Sequence, residues 1–300
     1  MLTVGAILKE PVSTVVRFVE WYAAQGAGCI VLCFDDPEDP AIDVVSGRED
    51  VIAIRATAEF WEGLGTTANE RFTKRQNLAM GHVYRNIPEG GWFLNVDSDE
   101  LLFLEGRTIA EEVDKQPASC RALRFLPAEH IQSPDDPDRL YFRLPQKGWV
   151  QRSIYGDLAP AVKPRHGLMG HTVGKSVTRT GLSPVKVRQH WIEDRDGPIE
   201  GATLSADEGA YLFHFVDQGY EVWRNKIRWR LSSRGFRLPM RLEIEKRMEG
   251  PEPEAALREL YDCLHVFNEE RLAQMERGGA LRSWTRRELG LTDPCWPPSH

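Results

Sequence analysis

Nowhere in the 300 residues do some 18 apolar side chains follow one another, so no segment reads as a membrane-spanning helix. The five cysteines, at positions 29, 33, 120, 263 and 295, lack the paired short spacings of a zinc site or a dithiol motif. Cys29 and Cys33 share one apolar run, and reduced core thiols are the expectation. Positive charge is also in deficit. A formal net charge of -7 and a pI near 5.7 argue against a broad nucleic-acid surface, while a local basic groove for a phosphorylated ligand stays compatible. No basic segment followed by a long apolar core opens the chain, so a cytoplasmic protein is expected, with association at the inner face of a membrane left open. Repeats and low-complexity tracts are missing, and Asp293 to His300 alone reads as a loose tail.

What the chain does have is 41% apolar content punctuated regularly by Gly and Pro, enough for one large domain or a domain with an appendage. Leu2 to Leu8 reads as a strand, and Val15, Val16, Phe18, Val19, Tyr22 and Ala23 recur at helical spacing from Val12 to Gly26. Further strands are expected at Cys29 to Phe34, Val51 to Ala56, Trp92 to Val96, Arg121 to Phe125 and Leu140 to Leu144. Helices are expected at Asn69 to Tyr84, Thr108 to Lys115, Glu221 to Leu231 and Pro253 to Gln274, with short strands and loops across 145–200. The alternation points to an α/β chain with a mostly parallel, helix-flanked sheet. Ligands collect outside the carboxyl ends of such strands, where Glu10, Asp35, Asp36, Asp97 and Asp99 all fall.

The densest chemistry is Asn95-Val96-Asp97-Ser98-Asp99-Glu100, directly after the apolar run Trp92-Phe93-Leu94. Two aspartates at i and i+2 can present oxygens from one turn to a hard cation such as Mn²⁺ or Mg²⁺. By itself an Asp-x-Asp pattern is usually a solvated turn; the strand exit and its acidic neighbours favour a metal.

Taken together, Lys9-Glu10, Glu20-Trp21, Asp35-Asp36, Lys74-Arg75-Gln76-Asn77 and Trp92 to Glu100 resemble the glycosyltransferase family 2-like proteins, which are related in pattern to the family 92 type transferases. Lys175-Ser176, His190 and His214-Phe215-Val216, leading to Trp223 and Lys226, look like later motifs of that group, so the resemblance covers about residues 1 to 230. It implies a GT-A-like catalytic domain over 1–218 with a helical C-terminal extension over 219–300. It further implies a nucleotide-sugar donor, with a UDP-sugar favoured, and Mn²⁺ or Mg²⁺ bridging the donor diphosphate to Asp97 and Asp99. A third metal ligand in that fold is often a later histidine; His214 is the first choice and His190 the second. Glu10, Asp35, Asp36, Arg75, Gln76, Asp97 and Lys175 are the expected donor contacts.

An acceptor hydroxyl must lose its proton as it attacks, and the candidate bases are Glu100, Asp194, Asp196 and Glu208. The acceptor is expected to be a carbohydrate or lipid-linked molecule in surface-polysaccharide assembly. A non-catalytic carbohydrate-binding or scaffold protein on a transferase frame is the alternative. An aspartyl-phosphate phosphatase fits less well, because position 101 is Leu where it would want Thr or Val, and a nucleotidyltransferase would want a Gly-rich basic loop after its first strand. Arg224, Lys226, Arg228 and Arg230 interleave with Trp223, Ile227 and Trp229. A helix covering a sheet edge with solvated arginines is the preferred reading of that stretch, and peripheral contact with an anionic membrane the other.

Overall fold

Leu2–Leu8 forms β1 with all seven residues buried, as a strand covered on both faces should read. The computed structural model that shows this describes residues 1–232 and 235–292. From β1 the chain runs through α1 (Val12–Ala24), β2 (Ala27–Phe34), α2 (Ala41–Val45), β3 (Val51–Arg55), α3 (Ala58–Gly63) and α4 (Phe72–Asn86). It continues through β4 (Trp92–Asn95), β5 (Glu100–Leu104), α5 (Ile109–Asp114) and β6 (Ala122–Phe125). Next come β7 (Pro127–Ile131), β8 (Arg139–Arg143), α6 (Gly148–Tyr155) and α7 (Ala159–Val162). The short strands β9 (Lys175–Arg179), β10 (Lys186–Val187), β11 (Ile192–Asp194), β12 (Gly197–Pro198) and β13 (Ala202–Leu204) follow, then β14 (Ala210–His214). The chain closes with α8 (Tyr220–Ser232), α9 (Leu238–Met248), α10 (Pro253–His265), α11 (Glu269–Arg277) and β15 (Leu281–Thr285).

Two compact units result, one made of residues 1–126 and 173–212, the other of 127–172 and 213–300. Residues 127–172 thus belong with the C-terminal helices rather than with the strands before them. In the first unit a seven-stranded sheet has the order β13-β6-β9-β4-β1-β2-β3. The β1–β2, β2–β3, β1–β4 and β13–β6 pairs are parallel, whereas β9 runs antiparallel to both β4 and β6. The sheet is therefore mixed, and the expectation of a mostly parallel one holds in part, for β4-β1-β2-β3 and for β13-β6, with β9 running against its neighbours. The order reverses at β1, whose neighbours are β2 and β4, so the loops after these three strands meet at a switch point.

Packing explains the central register. Gly5 in β1 lies opposite Asn95, and a Cβ added there would sit 2.8 Å from the Phe93 ring and 3.0 Å from Met80 Sδ, so only glycine fits under α4. Ile7, Val31, Cys33, Trp61, Ala79, Met80, Val83 and Phe93 share one buried cluster on that side. On α1, Trp21 Nε1 donates to Leu102 O at 3.0 Å and the Tyr22 hydroxyl to Glu100 O at 2.8 Å, which anchors the start of β5.

In the second unit β7, β8 and β15 pair antiparallel. Helices α6 to α11 enclose a separate core built on Val150, Tyr155, Trp223, Ile244, Leu260, Tyr261 and Met275. Helix α8 does not cover a sheet edge: Tyr220 and Trp223 pack on Tyr261 of α10, with ring centroids 5.4 and 5.6 Å away. The expected helix Pro253 to Gln274 is two helices. Val266 is extended and pairs with Gln132, and Asn268 then caps α11 by accepting the Arg271 amide at 3.1 Å. Within 145–200, α6 was hidden by its brevity. Among the described residues no helix is long and apolar enough to cross a membrane, and Cys29, Cys33, Cys120 and Cys263 are free thiols. The expected tail at Asp293 to His300, with Cys295, lies outside the described residues.

Candidate functional site

The switch point carries the acidic turn. Val96 continues from β4 by donating its amide to Gly5 O at 3.1 Å, and residues 97 to 100 then turn back into β5. Two reciprocal bonds close that turn: Glu100 N donates to Asp97 O at 3.1 Å, and Asp97 N donates to Glu100 Oε2 at 2.9 Å. Its tip is fixed from β1, since the Ser98 hydroxyl donates to Glu10 Oε1 at 2.8 Å. Asp97 and Asp99 remain partly exposed while Glu100 is buried. Both aspartates of the turn are thus accessible from one end of the sheet.

Beneath the turn lies Lys175, the first residue of β9, which is fully buried. Its Nζ donates to Asp97 Oδ2 at 2.9 Å and to Gln189 O at 2.8 Å, and it lies 3.0 Å from Glu100 Oε2. Burial works against the ammonium, but Asp97 and Glu100 outweigh it and hold its pKa above the ordinary lysine value. All three N–H groups are committed, so Lys175 cannot also reach a donor phosphate, as the resemblance would have it. Gln76, equally buried on α4, donates to Asp97 Oδ1 and accepts from Gln189 Nε2 at 2.9 Å. Asp97 is therefore clamped by two nitrogen donors while its carboxylate keeps about a third of its surface open.

The other expected site residues are brought near the strand ends in part. Asp35, after β2, is paired with Arg75, whose guanidinium also lies 5.3 Å from the Trp61 ring and whose Nε donates to Glu70 O at 3.0 Å. Arg75 is thus a brace for the β2 loop more than an open phosphate contact. Asp36 accepts the Glu38 amide at 3.1 Å and pairs with Lys9 at 3.2 Å; the Glu38 bond, then Lys9, lowers its pKa. Asp194 pairs with Arg121 at 2.8 Å and accepts the Asp196 amide at 3.0 Å within the β11–β12 hairpin. The Arg121 bond, then that amide, lowers its pKa and makes it a poor base. Asp196 is exposed in the same hairpin turn, and Glu208 caps a short helical turn at Ser205. His190 Nδ1 lies 3.2 Å from Gly174 O, in the segment just before β9.

His214 ends β14 in the second unit, with its ring 5.2 Å from that of His171 and its Nδ1 4.0 Å from Glu129 Oε1. Glu129 is fully buried, bonded by Arg143 Nε at 3.0 Å and by the amides of Met169 at 2.7 Å and Gly170 at 2.5 Å. Burial opposes its charge, and Arg143, His214 and the two amides prevail, holding the carboxyl below its usual range. A Cβ at Gly170 would come within 2.5 Å of His214 Cε1 and 2.8 Å of Glu129 Oε1, so a glycine is needed for this approach.

Three participants escaped the sequence: Ser98 as the clasp for Glu10, Gln189 as the partner of both Lys175 and Gln76, and the buried Glu129–Arg143 pair. A lysine in an otherwise apolar and hydroxylic strand, Lys175-Ser-Val-Thr, is the signal that could have exposed the internal cation. No family model and no curated protein sequence matches this chain, which leaves the geometry to carry the functional reading.

Proposed function

We propose that the protein is a metal-dependent glycosyltransferase with a GT-A-like first unit, moving a sugar from a nucleotide-sugar donor, with UDP-sugars the first to try, to a carbohydrate or lipid-linked acceptor. The observation that carries this reading is the acidic turn at the β1 switch point, closed by its own bonds and braced from β1, α4 and β9.

Charge makes the case for a cation. Glu10, Asp97, Asp99 and Glu100 bring four carboxylates to one turn, with Lys175 bonded to Asp97 and Glu100, and such a density of acid repels a diphosphate. A divalent ion reverses that sign. The available donors are carboxylate oxygens, which suit Mn²⁺ or Mg²⁺ better than a soft metal. Asp99 and the outward lone pairs of Asp97 would hold it, and when bound it would act as a Lewis acid on the departing diphosphate. Lys175 and Gln76 fix the Asp97 carboxylate so that no reorientation is needed on binding. Glu100, buried and spent on Lys175 and the Asp97 amide, is a positioning residue and not a base.

The test is hydrolysis and binding of nucleoside diphosphate sugars by the purified protein with and without Mn²⁺. A ligand at a hundred times its Kd raises stability by about 2.7 kcal/mol, which a thermal-shift panel would resolve. Mn²⁺-dependent binding with slow donor hydrolysis is expected. A folded protein that does neither with any donor overturns the reading, and binding without turnover on any acceptor would favour a carbohydrate-binding protein.

A further inference from the structure

We propose that the outward faces of α8 and α9 form a docking surface for a bilayer rich in anionic lipid. Residues 220–249 carry nine Lys or Arg and four Glu, a net charge of +5 within a chain of net charge -7. The buried faces of both helices are already occupied, by Tyr220, Trp223 and Ile227 on α8 and by Met240 and Ile244 on α9. Large apolar side chains nevertheless stand on the opposite faces. Trp229 is 61% exposed, Leu238 66% and Leu242 55%, with Val222 at the threshold of exposure one face-repeat before Trp229.

Gly235 N donates to Arg230 O at 2.9 Å and the Arg230 guanidinium lies 5.9 Å from the Phe236 ring, which ties the approach to α9 to the end of α8. Trp229 immediately precedes that anchor, and Leu238 opens α9 just beyond it. Lys226, Arg228, Arg237, Arg241 and Lys246 are exposed among the apolar groups. Arg241 pairs with Glu245 at 2.8 Å and Arg247 with Glu243, so two of the four acids of the segment are taken up by its own cations. An indole and leucines set among lysines and arginines match the interfacial zone of a membrane, where the rings enter the headgroup boundary and the cations meet lipid phosphates. Charge selects this occupant over an average protein surface. The proposal does not depend on the transferase reading.

The full-length protein is to be sedimented with vesicles of phosphatidylcholine alone and of phosphatidylcholine containing about a third phosphatidylglycerol. Binding is expected only to the anionic vesicles, weakening as salt is raised. Arg228→Gln with Arg237→Gln should lower the partition coefficient roughly 25-fold, at about fivefold per basic residue. Trp229→Ser with Leu238→Ser and Leu242→Ser should lower it roughly tenfold or more. All five side chains are exposed, so melting temperatures serve as the fold control. Equal binding to both vesicles, no binding to either, or variants that bind as the parent does would each overturn the proposal. So would a concentration-dependent dimer abolished by the apolar substitutions, which would assign the patch to a second copy of the chain.

Discussion

Among the described residues each unit buries one Lys or Arg completely, and the two are buried differently. Arg143 meets a Glu129 that is as inaccessible as itself, and its remaining bonds go to Leu264 O at 2.6 Å and the Tyr155 hydroxyl at 3.3 Å. Lys175 meets a buried Glu100 and an Asp97 that still faces solvent. The first arrangement is closed, with its charge directed inward at packed partners, and its consequence is stability. The second has one open carboxylate oxygen face, and its consequence is a place where another cation can add. Burying a charge is costly in both, so the difference between them lies in what the acid can do besides neutralise the base.

The largest effect should come from breaking the closed pair. Arg143→Met leaves Glu129 buried without its partner and is expected to cost about 3–5 kcal/mol in chemical denaturation. Lys175→Met should cost less, about 2–3 kcal/mol, because Asp97, one of its two acids, is partly exposed and stays hydrated without it. Equal losses would erase the distinction drawn here.

Acid sharpens the comparison further. Burial pushes His130 in the second unit down to about 3, helped by the Arg286 and Arg143 charges. In the unfolded chain it titrates near 6.5, as an ordinary histidine does. Between those values the unfolded state holds the extra proton, so stability rises with pH across this window and falls as the solution is acidified. His130→Phe should remove about 1.4 kcal/mol per pH unit from the slope of stability between pH 5.5 and pH 4.5, roughly one proton. An unchanged slope would mean that His130 is solvated. Glu129, with its lowered pKa, adds its own loss only at more acid pH, as pH falls through its folded value.

Changes at the open face act on cation binding as well as on stability. Gln76→Leu removes the Asp97 clamp from α4 and leaves Gln189 short of a partner, for about 1–3 kcal/mol and a weakened cation affinity. His214→Ala separates the two regions functionally. If the acidic turn is sufficient, Mn²⁺ affinity changes little; a loss as large as that of Asp99→Ala would make the histidine a ligand as well.

Strands β1 to β4 were legible because each is short, continuous and largely apolar: β1 spans the run expected from Leu2 to Leu8, and β4 ends at Asn95, one residue short of the expected Val96. The acids after β1, β2 and β4 were legible for the same reason, since a buried strand must exit into polar residues. The antiparallel insertion of β9 was not, because Lys175-Ser-Val-Thr-Arg carries no mark of direction and its partners are fifty or more residues away in sequence. Nor could the sequence tell Lys175 under the turn from a lysine facing a phosphate. A buried cation is defined by three acceptors from the turn after β4, from β5 and from the loop after β10, which only the folded chain brings together. The grouping of 127–172 with the C-terminal helices was hidden likewise, as it depends on β8 pairing with β15 across some 140 residues.

Calorimetric titration of Mn²⁺, followed by a UDP-sugar, into the parent protein and into Asp99→Ala tests the central claim most directly. The account predicts donor binding that requires Mn²⁺ in the parent and is lost in the variant, with the variant's stability within about 1 kcal/mol of the parent's. Donor binding of equal strength in both proteins, or binding indifferent to Mn²⁺, would contradict it.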